Sequence, residues 1–332
     1  MSVERTITYA EAINEALQQA MRLSGDVVVY GQGVDSRSGV FGTTAGLVEE
    51  FGSGQVFDTP VSESAMTGFG LGAALMGMRP VLVHQRMDFM LYSMDQIVNW
   101  ASIWRFKSNG QSGMPLTIRA VVGKGWGQGP QHSKSLQAWF AHVPGLRVAV
   151  PATAFDAKGL LLEAIFGEDP TIILEGRPLF AMSEVVPEEP YRVPFGKAII
   201  RRVGQDATLV AIGHMVPIAL QAAERLAEDG MDLEVLDLRT IVPLDDKLIL
   251  DSVRKTGQLI LVDTSWTSFG VTAELATRVT EQAFECLKSP PLRVALPDSH
   301  TPTSVTLERA YYPDNETIVH AVKSHFGRHG TR

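Results

Sequence analysis

The chain has 332 residues, enough for two domains, and its 45% hydrophobic and 20% charged residues are those of an ordinary globular protein. A net charge of −8 argues against a general nucleic-acid binder. The lone Cys286 excludes an internal disulfide and fits a reducing compartment.

The opening MSVERTITYAEAINEAL carries early charges and no apolar core of signal-peptide type. The spacing of Ala10, Ile13, Leu17 and Met21 predicts an amphipathic helix over 8–22. Residues 27–30 read as a buried strand running into a glycine-rich loop, 31–42, that also carries Asp35 and Arg37. A short helix over 43–51 stops at Gly52. A strand at 55–57 then leads through a polar turn, 58–62, to Glu63.

The run 64–78 is uncharged and interrupted by Gly68, Gly70, Gly72 and Gly77. It is short for a membrane span and reads as a helix buried on all sides. Each interior glycine costs about 1 kcal/mol relative to alanine, so close approach of a backbone or a ligand is expected there. A strand over 80–85 delivers Arg86, Asp88 and Phe89. The expectation is a cytoplasmic protein with no membrane and no nucleic-acid partner.

Residues 91–106 predict one helix with Trp100, Ile103 and Trp104 on a single face, turned either to the core or to a partner. Strands at 115–122, 146–150 and 171–174 alternate with a helix over 154–166. Residues 177–197 are proline-rich and acidic and read as a linker. A second α/β unit comes next, with strands at 208–212, 233–238, 259–262 and 292–295 and helices at 215–229, 245–255 and 271–287. The fold expected is α/β with two doubly wound domains, 1–176 and 198–332, joined by 177–197. In such sheets ligands bind at the strand ends, where the polar residues gather here.

Glu63 has two readings, a first-turn carboxylate favoured by the helix dipole or a functional group. The loop 123–135, GKGWGQGPQHSKS, places glycines at alternate positions before His132. It has neither the Gly-Lys-Ser/Thr triplet of a phosphate loop nor G-x-G-x-x-G spacing. His132 is either a solvated loop histidine or a proton-transfer group. No His/Cys cluster has zinc spacing and no G-x-S-x-G elbow occurs. His84, His142, Asp156 and Lys158 read as structural or interface groups.

The segment DTPVSESAMTGFGLGAALMGMRPV resembles the part of the thiamine-diphosphate-dependent 2-oxo acid dehydrogenases that carries the cofactor-activating glutamate. The resemblance, to the β subunit of the E1 component, runs from about residue 6 to 325. It implies an N-terminal pyrimidine-binding and a C-terminal transketolase-type domain. It further implies that Glu63 contacts the aminopyrimidine of thiamine diphosphate and that Gln85 and Phe89 line the cofactor pocket. His132 would face the thiazolium and the substrate. The family's glutamine after His-Ser is Lys134 here, and an uncharged residue is usual where this chain has Arg86. Both are therefore candidate substrate contacts.

Thiamine enzymes hold Mg²⁺ through a Gly-Asp-Gly segment, which this chain lacks. The resemblance therefore implies Mg²⁺ ligands from an E1 α subunit in an α2β2 heterotetramer, with this chain supplying half of each active site. A structural K⁺ is expected at backbone groups of Leu116, Ala164, Ile165, Gly167 and Asp169, as in some mitochondrial pyruvate dehydrogenase β subunits. The activity implied is decarboxylation of a pyruvate-like 2-oxo acid, with the acyl group passed to a lipoyl acyltransferase (E2). The alternative is a split transketolase-like enzyme serving a non-lipoyl acceptor, favoured by Lys134 and Arg86.

Overall fold

A computed structural model describes residues 5–124 and 127–329. Two compact units divide the chain. One holds the residues through Val122 together with Trp139–Phe195; the other holds Gly123–Ala138 and everything from Gly196 on.

In the first unit, β1 (Thr6–Thr8) leads into helix α1 (Tyr9–Leu23). The Thr8 hydroxyl accepts from Glu11 N and the Glu11 carboxylate accepts from Thr8 N, a capping box worth about 1 kcal/mol. The parallel strands β2 (Val27–Gly31), β3 (Val56–Asp58), β4 (Arg79–His84), β5 (Thr117–Val122), β6 (Arg147–Ala149) and β7 (Thr171–Gly176) run side by side in the order β6-β7-β5-β4-β2-β3. β2, β5 and β7 are buried throughout, as continuous apolar strands of parallel sheets are. α1 and the helix Ala154–Ile165 pack over one face through Ile13, Leu17, Leu160 and Leu161. Lys158 is wholly buried and satisfied, donating to Glu15 Oε1 at 2.5 Å and to the Pro187 and Glu188 carbonyls at 2.6 and 3.0 Å.

Helix α2 (Leu47–Phe51) precedes β3, and helix α3 (Glu63–Leu75) comes after it. The expectation that α3 is buried on all sides fails. Met66, Thr67, Gly70, Leu71 and Ala74 are buried, while Phe69 and Met76 are 50% and 84% exposed. Of its interior glycines, Gly70 meets the packing demand. A Cβ there would lie 2.3 Å from the Tyr30 hydroxyl, which itself donates to Met66 O at 2.9 Å. Gly72 has nothing within 4 Å.

The predicted helix over 91–106 is a run of short segments broken by a π turn, Ile97–Ala101, in which Ser102 N reaches Ile97 O. Of the face expected there, Trp100 within the turn and Ile103 just after it are exposed while Trp104 is half-buried, and Phe106 is exposed as well. Beyond β7 the proline-rich acidic segment runs along the first unit as far as Phe195, and β8 (Ser183–Val185) pairs antiparallel with β1.

The second unit contains β9 (Ile199–Arg202), β10 (Ala207–Ala211), β11 (Leu233–Asp237), β12 (Thr240–Val242), β13 (Leu259–Trp266) and β14 (Leu292–Leu296). Its five-stranded sheet has the order β14-β13-β10-β11-β9, parallel except at the β9 edge. Helices Met215–Glu228, Asp246–Thr256, Val271–Ala283 and Asn315–His329 accompany it. Among the described residues no helix is long and apolar enough to cross a membrane.

Candidate functional site

In the first unit the polar groups collect where β2, β3 and β4 end. The carboxylate of Asp58, the last residue of β3, accepts from three successive backbone N–H groups: Gly33 at 2.9 Å, Val34 at 2.6 Å and Asp35 at 3.1 Å. It fixes the start of the glycine-rich loop. Sequence reasoning passes over this role, although a lone carboxylate closing an apolar strand is a visible signal.

Glu63 opens α3, and Ser62 before it makes no side-chain cap. The Glu63 carbonyl accepts the hydroxyls of Thr67 at 2.9 Å and Ser93 at 2.8 Å, which are themselves 2.8 Å apart. The backbone of Glu63 is thus bolted to the segment just after Phe89. Its side chain is half-buried, and among the described residues no donor meets its carboxylate. A carboxylate held by its backbone and left open at its oxygens suits a ligand that brings a donor nitrogen. Those residues therefore fit the aminopyrimidine of thiamine diphosphate.

Gln85 donates to Gln32 O at 3.1 Å, and the Gln32 amide reaches Met66 Sδ at 3.9 Å, one turn along α3 from Glu63. Phe89 is half-buried. Tyr30, Phe57 and Phe69 form an aromatic cluster with centroids 5.2 to 5.9 Å apart. Burial pushes the Tyr30 hydroxyl well above the usual tyrosine range. Arg86 is 2% exposed, with its guanidinium carbon 5.7 Å from the Phe41 ring centre. Arg177 lies over the same ring at 4.9 Å. His84 is buried, and burial pushes it down to about 4, a neutral structural histidine.

His132 and Lys134 fall in the second unit, on the loop Gly123–Ala138. His132 comes directly after a short turn, Gly129–Gln131, and is half-buried. Gly125, one of the alternating glycines, lies outside the described residues. Lys134 donates to Pro130 O at 2.7 Å within its own loop. The Tyr312 hydroxyl donates to Ser133 O at 3.1 Å.

The far end of the loop is held by a residue that sequence reasoning misses. Asp263, fully buried on β13, accepts from Gln137 Nε2 and Thr264 N, each at 2.8 Å, and from the Ser265 hydroxyl. Burial pushes its carboxyl up to about 6, against the pull of those donors. An acidic residue inside the apolar strand LILVDTSW is its signal.

No group of three or more His, Cys, Asp or Glu residues suited to a metal occurs among the described residues. The backbone positions expected to bind K⁺ do not fit a free ion, because Arg79 donates to the Ile165 and Gly167 carbonyls at 3.1 and 2.9 Å.

The sequence matches the family described as "Transketolase, pyrimidine binding domain" over residues 5–182 and "Transketolase, C-terminal domain" over 196–318. It is 41% identical over 320 residues to "Pyruvate dehydrogenase E1 component subunit beta" of Rhizobium meliloti, covering 96% of this chain and 70% of that protein. It is 40% identical over 329 residues to "Acetoin:2,6-dichlorophenolindophenol oxidoreductase subunit beta" of Cupriavidus necator, covering 96% and 97%. It is 38% identical over 319 residues to "2-oxoisovalerate dehydrogenase subunit beta" of Bacillus subtilis, covering 96% and 98%. A solved structure described as "Split gene transketolase, inactive beta4 tetramer" superposes with a TM-score of 0.80 at 22% identity, covering 97% of this chain and 99% of that one. At that identity the likeness is one of fold. The chain belongs to the family of β subunits of thiamine-dependent 2-oxo acid dehydrogenase E1 components, built from transketolase pyrimidine-binding and C-terminal domains.

Proposed function

We propose that this chain, with an α subunit, forms an E1 component that decarboxylates a pyruvate-like 2-oxo acid and passes the acyl group to a lipoyl acyltransferase. The observation that carries the site assignment is the Glu63 carboxylate, anchored through its backbone to Thr67 and Ser93 and open at its oxygens. Bound thiamine diphosphate supplies the carbanion chemistry that cleaves the bond beside the keto group. Glu63 holds a proton at ring nitrogen N1′. Gln85 and Phe89 line the pocket around the ring. His132 holds the substrate carboxylate or moves a proton at the acyl-transfer step. Mg²⁺ takes its ligands from the α subunit, consistent with the missing Gly-Asp-Gly segment.

A partner surface supports the subunit reading. Ser64, Ala65, Phe69, Gly72 and Leu75 on α3 and Met76 just after it are exposed, and none is charged. Tyr92, Trp100, Ile103 and Phe106 extend the apolar surface. The α subunit covers these faces in an α2β2 assembly, and the complex works in the cytoplasm. The named relatives are dehydrogenase and oxidoreductase β subunits, which favours this reading over transfer to a non-lipoyl acceptor.

The test is co-purification with the α subunit, with a 2-oxo acid panel then run against an artificial electron acceptor. Turnover that depends on thiamine diphosphate is expected. A stable αβ complex that does not bind thiamine diphosphate would refute the proposal.

A further inference from the structure

The turn after helix Ala154–Ile165 carries a cation of its own. Arg79 begins β4, and its Nη1 donates to the carbonyls of Ile165 at 3.1 Å and Gly167 at 2.9 Å. Its Nη2 meets Glu168 Oε1 at 2.6 Å. These carbonyls close a helix C-terminus, where orphan acceptors and the helix dipole favour a positive charge. A guanidinium is always charged, and its fork suits two acceptors at once.

The other backbone groups expected to coordinate K⁺ also have donors. Thr171 N reaches Leu116 O at 2.9 Å, Gly167 N reaches Ala164 O at 3.1 Å, and the Thr171 hydroxyl reaches Asp169 O at 2.9 Å. Further guanidiniums surround the turn. Arg105 Nε bonds Asp169 Oδ1 at 2.5 Å, and Arg192 lies 4.8 Å over Phe166. Arg147 Nη1 comes within 3.3 Å of where a Cβ on Gly167 would sit. An added monovalent ion would meet carbonyls that already accept hydrogen bonds and guanidiniums that are already paired with Glu168, Asp169 and Glu163.

We infer that in this chain the Arg79 guanidinium, and not a bound potassium ion, holds the 165–168 turn against the start of β4. The link joins segments 86 to 89 positions apart. The exposed Glu168 contact adds little, and the two carbonyl bonds carry the effect.

The test uses the full chain, dialysed and compared in potassium, sodium and choline chloride at equal ionic strength. Its Tm is expected to be the same in all three, with no stoichiometric potassium by atomic emission. Arg79→Met is expected to lower Tm by about 3–6 °C in choline chloride, the loss of two charge-assisted bonds. Should that variant fail to fold, Arg79→Lys, which keeps the charge, is expected to fold with a Tm indifferent to the choice of salt. One potassium bound per wild-type chain, a potassium-selective rise of the wild-type Tm, or a wild-type Tm in Arg79→Met would overturn the inference.

Discussion

Asp263→Asn should remove a pH dependence that the native chain carries between about pH 4 and 6. Burial raises the Asp263 carboxyl from 3.8 to about 6 in the folded chain. Between those values the folded state binds the proton and the unfolded state does not. This contribution to stability is therefore complete below about pH 4 and is lost as pH rises through about 6. At about 1.4 kcal/mol per unit, the gap is worth roughly 3 kcal/mol. His84 and His214 oppose it. Burial lowers both from 6.5 to about 4, so each adds roughly 3 kcal/mol of stability as pH rises through the same range. The wild-type profile should then rise with pH, because two histidines outweigh one aspartate. Asparagine keeps an acceptor for Thr264 N and a donor for the Ser265 hydroxyl, so the fold survives. The assay is denaturant unfolding of both chains at closely spaced pH values. Stability of the variant relative to wild type should climb by roughly 3 kcal/mol from pH 4 to pH 6.5. A difference that stays flat would show that folding does not raise the Asp263 carboxyl.

Gly70→Ala drives a methyl group into the Tyr30 hydroxyl at 2.3 Å and Leu116 Cδ1 at 3.0 Å, and should cost about 1–3 kcal/mol. Gly72→Ala, with open space, should stabilise the isolated chain by about 0.5–1 kcal/mol, so the two variants move Tm in opposite directions. Trp100→Glu should leave the β fold intact, since Trp100 is 44% exposed, and weaken αβ association by about thirtyfold or more in sedimentation equilibrium. Unchanged association would return that face to solvent. Arg86→Ala should reduce kcat/KM for a dianionic 2-oxo acid about ten- to a hundredfold more than for pyruvate. Equal losses would make Arg86 structural.

The alternation of apolar strands and helices is legible in the sequence because parallel strands are buried on both faces and need no polar alternation. The Glu63 position is legible because its helix begins where the charges stop. Long-range acceptors are not. Asp58 and Asp263 act through N–H groups and side chains brought to them by the fold, and Arg79 reaches carbonyls far along the chain. The single helix over 91–106 fails because composition does not reveal a π turn. The fully buried α3 fails for a different reason: an uncharged face looks the same in sequence whether the core or a partner covers it. The linker reading rests on proline and acid content, which equally suits a segment laid along a domain, as Arg177–Leu179 and Ser183–Val185 are in the first unit.

The most direct test of Glu63 as the cofactor-activating group is hydrogen–deuterium exchange at C2 of thiamine diphosphate bound to the αβ complex, wild type against Glu63→Gln. Glutamine preserves the shape and the backbone bonds to Thr67 and Ser93, so assembly and cofactor affinity serve as controls. Exchange slowed by about 10² to 10⁴ is expected in the variant. Exchange at the wild-type rate in a properly assembled Glu63→Gln complex would contradict the assignment.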